Sequence, residues 1–443
     1  MKKQHLITFV LLLLLIPTLV LSPLAAPYTS RPDLQAHAVI LADIDTGDIL
    51  YARNEHERIN PASTTKIMTA LLAIEALNRG DVNIYDTVTV SEQALADMIP
   101  AGASLDLEVG EEMSFESLLY SIMLISANDA SNALAEHLSG SIDAFVQLMN
   151  DRARELGALN TNFSNTHGLT ADNHYTTAYD LFRISQYAIS IPRFAELYSQ
   201  QERAHPATNL RPAGMMVSTN LMTTPGSPYY YPYAFGVKTG FTSAAGLCLV
   251  STATRGDISL LAVVMGVPAD AEEANHFTES ARLYEWAFSN FEHQEILSTT
   301  TEIARVDVVL GDGADSVGLR PAEPVIALVQ IGTDVDNLRK DVVIFSEVDG
   351  TELQAPINQG AVLGEMTLHH GDRSFGPISL VADESIGLSR VEYMRSELEE
   401  VLSSVWVRVV IIVLVLLFVL YIAYAIWHGI SKRKRRRERL RRR

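Results

Sequence analysis

Two uninterrupted apolar runs bracket the chain, and between them the hydrophobic positions change period several times. Residues 6–21 hold no charge, follow Lys2 and Lys3, and lead to the small pair Ala25 and Ala26. This is the pattern of a secretory signal over residues 1–26; an uncleaved N-terminal anchor is the other reading, and both send the next segment across a membrane. Residues 409–427 are 19 uncharged, mostly aliphatic positions. As a helix they span roughly 28 Å, close to the hydrocarbon thickness of a bilayer. Trp406, Tyr421, Tyr424 and Trp427 lie towards the ends of that run, where aromatic rings favour the interface. Between the two runs, Ile67, Met68, Leu71, Leu72 and Ile74 recur at helical spacing, and Gly80 is the expected stop. The apolar segment 117–125 and the residues Ala133, Leu134 and Leu138 predict two helices that meet near residues 126–128. From Lys238 to Ala253, and again over 258–266, the pattern turns to strands, adjacent and antiparallel. Short Val- and Ile-rich runs punctuated by Gly and Asp over about 298–389 predict a small all-β domain, and residues 389–406 a helical linker into the span.

Charge gives the span a direction. The last thirteen residues hold ten Lys or Arg and one Glu, a net +9. By the positive-inside rule this tail is cytoplasmic, its partner is the lipid headgroup surface, and the bulk of the chain is outside. The net charge of −19 less this +9 leaves −28 for the remainder, an acidic body that repels nucleic acid. Cys248 is the single cysteine, set in an apolar strand and read as core, so no internal disulfide forms. His167 and His174 lie seven apart, and His369 and His370 are adjacent; no helical His-x-x-x-His occurs, so no metal site and no cofactor are expected.

Lysine usage singles out the candidate chemistry. Of seven lysines, two precede the first apolar run and two lie in the tail; Lys66, Lys238 and Lys340 remain, while arginine is used freely. Arginine keeps its proton, whereas a desolvated lysine can lose one. Ser63 stands at a predicted helix start with Lys66 one turn on, on the same face. The hydroxyl meets the positive end of the helix, and the amine is near enough to take its proton. Ser126 and Asn128 sit at the predicted junction of two helices, where a hydroxyl and an amide could point into a cleft. Lys238, Thr239 and Gly240 lie in the strand region, with Gly240 allowing close approach of a backbone. A chance Lys-Thr-Gly is expected about once in fifty such chains, so the three motifs in this order weigh more than each alone.

Ser-x-x-Lys, Ser-x-Asn and Lys-Thr-Gly on helix start, interhelical loop and strand resemble the penicillin-binding protein and serine β-lactamase superfamily. The stretches 38–75, 126–141 and 145–181 are similar to the low-molecular-mass D-alanyl-D-alanine carboxypeptidases. The resemblance implies an α+β fold, an antiparallel sheet flanked by helices with a helical subdomain. It places a peptidase domain over 36–295 and a β-domain over 298–392; the hydropathy and charge pattern, not the resemblance, places a helical linker over 393–408, the transmembrane helix over 409–427 and the basic tail over 428–443, where the family often ends in an amphipathic helix lying on the membrane. The resemblance also implies that Ser63 forms an acyl-enzyme on peptidoglycan stem peptides, with Lys66 as base and Ser126 as proton relay to the leaving amine. Asn128 would orient the substrate amide, and Lys238 and Thr239 would face its terminal carboxylate. Gly240 would line the cleft, and the backbone N–H groups of Ser63 and Phe241 would form the oxyanion hole. β-Lactams would acylate the same serine. Two departures stand out: Ala127 replaces the usual glycine of the middle triplet, and His276 stands where a carboxylate-binding arginine is expected. Either Thr239 and Lys238 hold the carboxylate alone, or the enzyme is weaker or differently selective. A DD-endopeptidase, a β-lactamase and a catalytically silent wall-binding scaffold remain as alternatives. If Lys66 is the base, Lys66→Arg abolishes labelling by a fluorescent penicillin although the charge is kept; near-normal labelling of that variant would count against the assignment.

Overall fold

The strand β1 (Ala38–Asp43) is buried at all six positions, and the reason lies in its neighbours. In the computed structural model, which describes residues 30–99, 102–270, 275–371 and 373–441 with side chains to Arg433 in the last helix, β1 is an inner strand. The signal segment over residues 1–26 lies outside the described residues. With β2 (Ile49–Arg53), β3 (Ala234–Thr242), β4 (Gly246–Arg255) and β5 (Ile258–Val267) it forms a five-stranded sheet in the order β2-β1-β5-β4-β3, antiparallel throughout. Side chains alternate across the pleat, so this sheet divides two cores. Ala38, Ile40, Ala42, Cys248, Val250, Leu261 and Val263 face one of them. Val39, Leu41, Leu249, Leu260, Ala262 and Val264 face the other.

The first core is filled by helices. A 3₁₀ turn (Ala62–Thr65) leads into α1 (Lys66–Arg79), which is buried almost all round and ends on Gly80 at φ 78°, the left-handed stop its sequence requires. Around it lie α2 (Phe115–Leu124), α3 (Asn128–Ser139), α4 (Ile142–Glu155), α5 (Ala178–Ile189) and α6 (Pro192–Ser199). Caps are supplied by Ser114, Ser141 and Thr177, each accepting from a first-turn backbone N–H. The second core is closed by α7 (His276–Asn290), whose Leu283, Tyr284, Ala287 and Phe288 pack beneath the sheet and whose N-terminus carries a capping box on Asn275. The expected α+β architecture is what forms. One boundary differs: β3 begins at Ala234, so Lys238 lies in mid-strand, after a bulge between Gly236 and Lys238.

The chain divides into two compact units, Met1–Gln294 with Leu328–Thr333, and Glu295–Ala327 with Asp334–Arg443. The second holds a six-stranded sheet built from Ala304–Val309, Ser316–Pro321, Arg339–Ile344, Leu353–Gln354, Val362–His370 and Arg373–Ala382. The strand Ser316–Pro321 carries no simple apolar run, and the run following Ile344 folds as the short helix Phe345–Asp349. The exposed helix Arg390–Ser403 precedes the helix Val405–Arg441. Within the latter, Val405–Arg433 is long and apolar enough to cross a bilayer, its most apolar 18-residue window having a mean hydropathy of 3.2.

The third lysine of the body finds its place here. Lys340 lies on Arg339–Ile344, an edge strand of the six-stranded sheet beside the exposed Val342 and Val343. A lysine on such an edge blocks pairing with another chain. Lys340→Val is therefore expected to raise light scattering on mild heating of the purified protein, with penicillin labelling unchanged; equal scattering of variant and parent would remove the edge-guarding role.

Candidate active site

Ser63 and Lys66 come together because the 3₁₀ turn holds the hydroxyl ahead of the first α-helical residue. Lys66 Nζ lies 3.1 Å from Ser63 Oγ. The turn is tightly specified. Ala62 takes φ 48°, a left-handed conformation that costs an L-residue roughly 1–2 kcal/mol. It is held there by its N–H donating to Asn60 Oδ1 at 2.9 Å, and by Thr64 Oγ1 donating to the Pro61 carbonyl at 2.6 Å. From the other side Gly168, at φ 91°, presses on the Ala62 carbonyl; a Cβ there would stand 1.8 Å from that oxygen. Only glycine fits position 168.

The Lys66 amine is fully buried and has three partners. Besides Ser63 it donates to Asn128 Oδ1 at 2.7 Å and to the His167 carbonyl oxygen at 2.6 Å. Burial first, and then the positive charge of Lys238, push its pKa well below the usual lysine value, while Asp129 opposes them. The Asp129 carboxylate is itself engaged by donors: Ser104 Oγ at 2.6 Å and the backbone N–H groups of Leu107 at 2.9 Å and Leu105 at 3.1 Å. Once deprotonated, the amine has two N–H bonds and one lone pair. The two carbonyl-type acceptors take the N–H bonds, so the lone pair is left for the Ser63 hydroxyl.

Asn128 opens α3, with its N–H on the Ala103 carbonyl at 2.9 Å. The loop bearing Gly102 runs so close that a Cβ at 102 would stand 2.9 Å from Asn128 Nδ2. Ser126, in the link between α2 and α3, takes φ 64° and buries a hydroxyl that meets no acceptor or donor among the described residues. Unpaired buried hydroxyls are uncommon, and strained backbone clusters at sites of function.

The strand β3 closes the other side. A Cβ on Gly240 would stand 3.1 Å from the backbone nitrogens of Ser63 and Thr64, so glycine lets the strand lie directly against the turn. Phe241 follows and is 54 % exposed. Lys238 is buried, donates to the Thr239 carbonyl at 3.1 Å, and has its pKa lowered to about 7 by desolvation. Thr239 Oγ1 lies 2.9 Å from Thr219 Oγ1.

Ser63, Lys66 and Asn128 are thus joined by hydrogen bonds, Gly240 packs on Ser63, and Lys238 acts on Lys66 through its charge. His276 offers no charge of its own: burial lowers its pKa to about 4, and its Nδ1 has no partner among the described residues. Thr219 and the His167 carbonyl were not singled out by sequence. Thr219 lies in a loop without a motif, and a carbonyl is common to every residue; the glycine after His167 was the available signal. His174 supports the same region, accepting from the Ser164 N–H on Nδ1 and donating from Nε2 to Thr65 Oγ1 at 2.9 Å. Cys248 is core, its thiol pushed up to about 12 by burial.

The sequence profile of the D-alanyl-D-alanine carboxypeptidase family matches residues 25–269. The chain is 36 % identical over 343 residues to the D-alanyl-D-alanine carboxypeptidase DacF of Bacillus subtilis, covering 77 % of this chain and 83 % of that protein. It is 31 % identical over 361 residues to DacA of Haemophilus influenzae, covering 80 % and 86 %. Among solved structures, penicillin binding protein 5 from Haemophilus influenzae superposes with a TM-score of 0.63 at 30 % identity, over 81 % of this chain and 99 % of that one.

The buried lysines tie stability to pH. Lys238 holds its proton up to about pH 7 in the folded protein, against an ordinary 10.5. Between these values the unfolded chain binds more protons, so stability rises with pH from about 7 upwards, and Lys66 acts in the same direction. Lys238→Met is expected to reduce that rise by up to about 1.4 kcal/mol per pH unit. Thermal unfolding of the full chain in detergent at pH 7, 8 and 9 measures it; parallel Tm curves for parent and variant would refute a lowered Lys238.

Proposed function

Because the chain belongs to the D-alanyl-D-alanine carboxypeptidase family, we propose that it removes the terminal D-alanine from peptidoglycan stem peptides through an acyl-enzyme on Ser63. The observation that carries this reading is the three-way hold on the Lys66 amine, which leaves its lone pair to the Ser63 hydroxyl. Lys66 takes the Ser63 proton as Oγ attacks the carbonyl of the penultimate D-alanine. The backbone N–H groups of Ser63 and Phe241 receive the developing oxyanion. The Ser126 hydroxyl relays that proton to the departing amine, giving up its own as it takes the one Lys66 holds. Asn128 orients the substrate amide. The hydroxyls of Thr239 and Thr219, with the charge of Lys238 behind them, hold the terminal carboxylate, a task for which the neutral His276 is unsuited. Water then releases the shortened peptide, and β-lactams follow the first half of the same route.

The remaining architecture fits action at the wall. The peptidase domain is exported by the N-terminal signal. The β-rich unit serves as a stalk, and the apolar helix Val405–Arg433 with its basic tail anchors the chain with the tail in the cytoplasm.

The test is peptide mapping by mass spectrometry of the full chain in detergent after penicillin treatment, alongside D-alanine release from a pentapeptide. One penicilloyl group on Ser63 is expected, and Ser63→Ala lowers D-alanine release at least about 10³-fold. An adduct on any other residue, or release of D-alanine by the alanine variant at the parent rate, would overturn the assignment.

A further inference from the structure

The His167 carbonyl oxygen accepts a hydrogen bond from the Lys66 amine, and something must hold that carbonyl still. A chain of hydrogen bonds does so. The His167 ring is buried; its Nδ1 accepts from the Leu169 N–H at 3.2 Å, which leaves Nε2 as the protonated nitrogen. Nε2 donates to Asp97 Oδ2 at 3.0 Å. Asp97 Oδ1 accepts from Asn132 Nδ2 at 2.8 Å, Asn132 Oδ1 accepts from Thr166 Oγ1 at 2.6 Å, and the Thr166 carbonyl accepts from Thr69 Oγ1 at 2.5 Å. Thr69 lies on α1, three residues beyond Lys66. The circuit therefore leaves α1, passes through the loop before His167, α3 and the segment bearing Asp97, and returns through the histidine ring to the Lys66 amine.

We propose that Asp97 is a positioning residue for the base: through the ring of His167 it fixes the backbone carbonyl that orients the Lys66 amine towards Ser63. This rests on the reading of Lys66 as base. The other groups near the amine are already engaged, Asp129 by backbone and serine donors and His174 by Thr65 and Ser164. Lys238 acts on it by charge and makes no bond that would aim it. Loss of the Asp97 carboxylate frees the ring to rotate and the carbonyl to swing, and the amine then has one acceptor fewer. Displacing a reacting group by about 1 Å costs up to about 100-fold in rate. Binding of the β-lactam or the peptide is untouched, because Asp97 contacts neither Ser63 nor Thr239.

Asp97 differs from the rest of the circuit in being reachable: its side chain is 52 % exposed. A small carboxylate added to the solution can therefore occupy the space vacated in Asp97→Ala. The experiment follows fluorescent penicillin labelling of the full chain in detergent, over a range of penicillin concentrations, to separate the dissociation constant from the acylation rate constant. For Asp97→Ala the acylation rate constant is expected to fall about 10- to 100-fold with the dissociation constant changed less than about twofold. Sodium formate is expected to restore at least a third of that loss on a logarithmic scale, while leaving the parent and His167→Ala unchanged. An acylation rate equal to the parent's overturns the proposal. So does a fall in the acylation rate constant accompanied by a rise in the dissociation constant, a lowered Tm and no response to formate, which is what a purely structural aspartate gives. If the parent acylates at Ser63 and only these variants behave otherwise, the Lys66 reading stands without Asp97; a parent that does not acylate at Ser63 overturns both.

Discussion

A primary amine that is buried without a counter-ion partner is the constraint around which this protein is arranged. Among the described residues Lys66 has no carboxylate bonded to it; its three acceptors there are a hydroxyl, an amide and a backbone carbonyl, all uncharged. Each pKa unit by which such a site favours the neutral amine is about 1.4 kcal/mol taken from the stability of the protonated folded state. The surrounding fold offsets this by burying α1 on nearly every side and by setting the sheet between two cores. A second buried lysine adds to the pressure, since Lys238 repels a proton on Lys66.

The geometry of the site depends on backbone contacts as much as on side chains. Gly240 allows β3 to touch the turn that bears Ser63, and Gly168 allows the His167 loop to touch Ala62. These two contacts place the Ser63 N–H beside the strand and the His167 carbonyl beside the amine. Ala62 and Ser126, both at positive φ, hold strained conformations on either side of the same cleft. The packing that over-determines them comes from α1, α3 and β3, three elements far apart in sequence.

Much of this was legible before any coordinates. The scarcity of lysine outside the chain ends drew attention to Lys66 and Lys238, and helical periodicity with Gly80 as stop located α1. The Ser63–Lys66 spacing predicted a hydrogen bond within one helical turn, and one is present. The alternating runs after residue 298 predicted a β-rich unit, though Ser316–Pro321 escaped notice because glycine and arginine interrupt its pattern. The start of β3 was placed four residues late, since aromatic residues and a proline precede it and a bulge shifts its register.

The sequence by itself singled out Ser63, Lys66, Asn128 and Gly240, which the site brings together, and most of the helices and strands along with an apolar run long enough to span a bilayer, because those follow from local spacing and side-chain type. Only the tertiary structure decided what surrounds them. That Thr219 meets Thr239, that the His167 carbonyl rather than its ring faces Lys66, and that His276 is buried and neutral are consequences of packing between distant segments. Backbone carbonyls and desolvation leave no mark on a one-dimensional pattern, since every residue has the first and the second depends on what folds over it.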